Sequence, residues 1–170
     1  MKMKTMLAVF TLFLLAGLSG PWGQEVGPAQ GALVVVGGAM KDPAILERFI
    51  QLAGGKDAPI VVIPTAGGRE EYGMYWGGLR AFREAGISRL TVLHTTDPHV
   101  ADTPEFVKPL QEARGVFFSG GRQWRLADAY LNTRTHKELH AVLARGGVIK
   151  INAAMHSMKI ANHIQETSLS

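Results

Sequence analysis

The sequence predicts an α/β domain: a doubly wound, mostly parallel sheet with helices on both faces. Three observations lead there. Short apolar runs alternate with stretches of helical spacing from residue 32 onward. The apolar runs are unbroken, as in strands that helices cover on both sides. Polar and glycine-rich segments follow those runs, at the sheet edge where such folds bind ligands.

Each element has its own signals. Ala32–Val36 is the first strand, stopped by Gly37-Gly38. Pro43–Ala53 carries Ile45, Leu46, Phe49, Ile50 and Ala53 at helical spacing, with Asp42 as cap and Gly54-Gly55 as stop. Ile60–Ile63 is the second strand, closed by Pro64. Tyr72–Ala85 reads as a helix ended by Gly86, and Leu90–Leu93 as the third strand. Pro104–Ala113 reads as a helix capped by Thr103 or Asp102. Val116–Phe118 is the fourth strand, followed by Ser119-Gly120-Gly121 and a short helix over Gln123–Leu131. Thr135 caps a helix over His136–Ala144, and Val148–Ile151 opens a fifth strand.

A chain of 170 residues, 46% apolar, allows one domain with a sizeable core. Residues 1–23 read as a secretory signal: Lys2 and Lys4, a 13-residue apolar stretch Met6–Leu18, then Gly17, Ser19, Gly20 and Gly23. That stretch is short for a comfortable membrane span, so a secreted or periplasmic protein is expected, with a retained membrane anchor as the other reading. Residues 24–30 read as a mobile leader. Removing Lys2 and Lys4 with the signal lowers the formal charge from +4 to +2, too little to argue for nucleic acid. With no cysteine, disulfides, thiolate chemistry and cysteine–zinc sites are ruled out.

Four segments form the expected binding rim: Gly37-Gly38-Ala39-Met40, Thr65-Ala66-Gly67-Gly68-Arg69, His94-Thr95-Thr96-Asp97 and Ser119-Gly120-Gly121-Arg122-Gln123. The last is the strongest local signal. Two glycines between strand and helix let backbone approach a ligand, and their N–H groups can hold an anion or an oxyanion. The other reading is a tight turn without a ligand. Nucleotide loops and a G-x-S-x-G elbow are absent. Ser119 reads as a turn residue. His136 and His140 follow H-x-E-x-H, not H-E-x-x-H, and read as two exposed helix histidines with no metal expected. His94 reads as a strand-end residue, and Tyr72, Tyr75 and Trp76 as core packing.

Four stretches together resemble a known family: Gly31–Gly38, Ala58–Ala66, Gly115–Leu126 and Arg145–Ile149. They are similar to cyanophycinase and its secreted relatives, serine peptidases related to dipeptidase E with a fold like class I glutamine amidotransferases. The likeness covers residues 31–149, read as the amino-terminal part of the peptidase-like domain. It implies hydrolysis of (β-)aspartyl peptide bonds through an acyl-enzyme, with no cofactor and with an aspartyl- or arginine-containing peptide as partner. Gly120 and Gly121 match the pair that helps form the oxyanion hole. Arg122 and Gln123 stand where substrate contacts are expected. Association into a homo-oligomer stays open.

The resemblance implies Gly-Gly-Thr-Ser-Ala-Gly after Ile149, and the chain departs from it. A gapless match sets Lys150 and Ile151 on the two glycines, Asn152 on the threonine, Ala153 on the nucleophilic serine and Met155 on the last glycine. All 20 glycines precede residue 150. No context marks His156 or His163 as a base. Residues 150–170 therefore read as a divergent tail, from a frameshift or a natural pseudoenzyme, with the family's later strands missing. Two outcomes are expected: an amino-terminal peptidase portion without activity, or a non-catalytic peptide-binding protein. An open sheet edge and poor folding are expected in either case.

Overall fold

The computed structural model describes residues 28–37 and 42–153. The expected signal, residues 24–27, the rim segment at 38–40 and the tail beyond Ala153 lie outside the described residues. Five parallel strands form one sheet in the order β1-β5-β4-β2-β3, with β1 at Ala32–Gly37, β2 at Ile60–Ile63, β3 at Leu90–Val92, β4 at Gly115–Phe118 and β5 at Val148–Ala153. The doubly wound α/β expectation holds.

The strand sequences explain the layering. Ile60, Val62, Phe117 and Val148 pack into one core, and Val61, Ile63, Val116, Phe118, Ile149 and Ile151 into the other. Alternate side chains therefore face opposite layers, so both faces need apolar residues. Helix α1, Pro43–Ala53, covers the first face through Leu46, Phe49, Ile50 and Ala53. The short α2, Arg80–Glu84, adds Phe82 to that face. The other face is covered by α3 (Pro98–Ala101), α4 (Pro104–Glu112), α5 (Trp124–Tyr130) and α6 (Arg134–Ala144).

Caps set the helix boundaries. The Asp42 side chain accepts from Ala44 N at 2.9 Å, and Gly54 at φ 105° closes α1 in the left-handed region. Thr103 Oγ1 accepts from Phe106 N at the start of α4. Among the described residues β1 and β3 are the sheet edges, and Val35 on β1 is 57% exposed.

Three expectations need correction. No helix spans Tyr72–Ala85: a 3-10 turn covers Gly77–Leu79 and α2 begins only at Arg80. Gly73, Gly77 and Gly78 weaken the helix there. Tyr75 is 94% exposed, so it is not core, while Tyr72 and Trp76 are half-buried. Thr133, not Thr135, precedes α6; Thr135 lies inside it, with Oγ1 donating to Ala101 O at 2.7 Å. Pro98–Ala101 is a further short helix, in a stretch to which the sequence signals assign no element.

Candidate functional site

The rim lies at the carboxyl ends of the strands. Strand β4 extends its pairing by one bond, Ser119 N donating to Ile63 O at 3.1 Å, and the chain then turns through Gly120 and Gly121 into α5. Gly121 has φ 145°, and a Cβ there would strike the backbone of Ala66. Arg122 N donates to Ala66 O at 2.8 Å, and Arg125 Nη1 donates to the same oxygen at 3.3 Å. The turn after β4 is thereby docked on the segment after β2. Among the described residues, the Gly120 and Gly121 N–H groups donate no backbone hydrogen bond. That leaves two adjacent donors for a ligand.

Gln123 and Arg122 part ways. Arg122 is exposed, whereas Gln123 is 5% exposed at the start of α5. Gln123 Oε1 and Ser119 Oγ are buried without a hydrogen bond among the described residues. Leaving such an acceptor unmet costs about 1–3 kcal/mol, so a donor from a bound molecule would be strongly favoured.

A polar chain holds the segments after β2 and β3 in place. Thr65 Oγ1 is 2.8 Å from His94 Nδ1 and 2.6 Å from Tyr130 OH. His94 Nε2 donates to Glu70 O at 3.1 Å, because a carbonyl can only accept. In a neutral imidazole Nδ1 then accepts from Thr65, and Thr65 accepts from Tyr130. Tyr130 OH also accepts from Thr95 N at 3.4 Å and lies 3.3 Å from Thr95 O. Burial pushes the Tyr130 hydroxyl pKa up, opposed by its bonds with Thr65 and Thr95. His94 is thus a cross-link between rim segments, not only a residue near a strand end. Its ring also meets Tyr72 edge-on, with centroids 4.8 Å apart.

Two open grooves flank this chain. One, of about 310 Å³, is lined by Arg69, Glu70, Trp124, Arg125 and Asp128 among others, with Trp124 54% exposed. The second, of about 320 Å³, includes Glu71, Tyr72 and His94.

Strand β5 delivers the remaining position. It pairs with β4 only as far as Phe117↔Lys150, but follows β1 to Gly37↔Ala153. Ala153 therefore ends an interior strand at the same sheet edge as the Gly120-Gly121 turn. Lys150 and Ile151, which the likeness set on two glycines, are ordinary strand residues and both buried. Burial pushes the Lys150 ammonium down to about 8. His156, His163 and Ser157 lie outside the described residues.

The structure brings Gly120, Gly121, Gln123, His94 and Ala153 to one edge. It corrects His136, which is buried, while His140 is half-buried. Sequence reasoning missed Thr65 as a hub, Tyr130, and Ala66 O as the anchor of the turn. Nothing local marks them, since Thr65 and Tyr130 are 65 residues apart. Among the described residues no group of three or more His, Asp or Glu could hold a metal, and no helix is long and apolar enough to cross a membrane.

The sequence profile described as Peptidase family S51 matches residues 33–165, beyond Ile149 where the motif likeness ends. A cyanophycinase of Synechococcus elongatus is 37% identical over 101 residues, 58% of this chain and 31% of the relative. A cyanophycinase of Geminocystis herdmanii is 31% identical over 107 residues, 61% of this chain and 39% of the relative. The chain thus spans about a third of the length of the curated relatives it matches. Among solved structures, a peptidase from an acI-B1 Actinobacterium superposes with a TM-score of 0.59 at 28% identity, covering 72% of this chain and 54% of the other.

Proposed function

Because the chain belongs to peptidase family S51, we propose that its rim binds peptides as a cyanophycinase-like serine peptidase does, and that the chain does not hydrolyse them. The observation that carries this reading is the end of β5. Ala153 closes an interior strand beside the strand that leads into the Gly120-Gly121 turn. That is where an acyl-enzyme mechanism needs a nucleophile, and a methyl group cannot attack a carbonyl. The oxyanion donors and substrate contacts that remain would bind without completing catalysis.

The proposed roles are these. The Gly120 and Gly121 N–H groups face a peptide carbonyl. Gln123 Oε1 accepts an N–H of the same peptide, which relieves its buried, unmet state. Arg122, exposed at the turn, contacts an aspartyl carboxylate. We place the protein outside the cytoplasm on the strength of residues 1–23. The experiment is a calorimetric titration of the purified chain with a β-aspartyl-arginine dipeptide, with product analysis of the same mixture. Saturable binding without hydrolysis is expected. Hydrolysis sinks the inactive reading, and absence of binding by folded protein sinks the peptide-binding one.

A further inference from the structure

Away from the peptide rim, two histidines on α6 converge. His136 and His140 stand one turn apart, with ring centroids 4.9 Å apart and Nε2 atoms only 3.3 Å apart. The rings therefore splay at their bodies and close at their Nε2 ends. A tetrahedral ion with metal–nitrogen bonds of about 2.05 Å holds two ligand nitrogens roughly 3.3 Å apart. We propose that His136 Nε2 and His140 Nε2 form a two-point chelate for a divalent transition-metal ion of the copper, nickel or zinc class.

The surroundings favour this geometry. His136 is 9% exposed and lines a small apolar cavity with Phe118, Leu126, Tyr130 and Leu139. Those walls fix its ring. The helical backbone of α6 fixes the spacing, since residues four apart share a face. Imidazole suits copper, nickel and zinc, whereas magnesium and calcium require oxygen ligands. No third His, Asp or Glu completes a set among the described residues. Binding requires both Nε2 lone pairs, so the proton of the Nε2–Nε2 hydrogen bond moves to an Nδ1 position.

The test uses tag-free full-length chain at pH 7.5, its fold verified by circular dichroism. It is titrated calorimetrically with copper, nickel, zinc or magnesium chloride. One equivalent of metal is expected to bind, copper most tightly and magnesium not at all. The variant His140→Gln should bind copper at least about tenfold more weakly, because even an outer-shell change costs that much. His99→Ala should bind as wild type does. Copper-induced broadening of the His136 and His140 ring signals reads the same site in the wild type without any variant. Equal copper affinity in wild type and His140→Gln, broadening confined to other histidines, or no copper bound by folded wild type would each overturn the proposal.

Discussion

Lys150 Nζ lies 4.1 Å from the centroid of the Phe117 ring, with Lys150 fully buried in β5. An ammonium in that layer loses its hydration, and the aromatic face offsets part of that loss. Burial holds the folded-state pKa at about 8, below the ordinary lysine value of 10.5. The sign follows directly. Between those values the unfolded chain binds more protons than the folded one, so stability rises with pH through that window. Below pH 8 the full penalty applies, on the order of 3 kcal/mol. Lys150→Met should raise the urea midpoint at pH 7, and its advantage should shrink between pH 8 and 10.5. A pH-independent difference between the two proteins would contradict this.

Gly121→Ala should be among the most damaging single changes. Its φ of 145° is strained for any side chain, and the added carbon meets the Ala66 backbone. A loss of about 3 kcal/mol or more is expected. Gly146→Ala is the control: its φ of 81° is also left-handed, but nothing lies within 4 Å of the added carbon. It should cost only about 1 kcal/mol. Urea denaturation of both variants checks the difference.

Tyr130→Phe removes the hydroxyl that lies 2.6 Å from Thr65 Oγ1. About 1–3 kcal/mol of stability should be lost, because Thr65 is buried and, among the described residues, its hydroxyl keeps only His94 as partner. Hydrogen exchange should accelerate at Thr95, whose N–H donates to that hydroxyl. Unchanged exchange there would show that the chain of hydrogen bonds does not hold the rim.

Much of the fold was legible because the strands are buried on both faces. Ile60–Ile63 reads as one apolar run and is one strand, bounded by Pro59 and Pro64. Pro43–Ala53 was legible from Asp42 at one end and glycine at the other. Tyr72–Ala85 reads as one helix, but Gly73, Gly77 and Gly78 lie within it and only Arg80–Glu84 is α-helical. The burial of His136 was within reach: it stands three residues before Leu139, on the face the helix buries. The strand order and the Thr65–His94–Tyr130 chain were not legible, because local spacing says nothing about which distant residues meet. At the site, Gly120, Gly121 and Gln123 were found through their turn, while Ala66 O had no local mark.

The most direct test concerns position 153. The full chain is treated with a fluorophosphonate, which phosphonylates activated serines with loss of fluoride, and then weighed by intact-mass spectrometry beside an assay on β-aspartyl-arginine dipeptide. Unmodified mass and no released amino acid are expected, because the residue at the end of β5 is an alanine. A stoichiometric adduct accompanied by turnover would contradict the account.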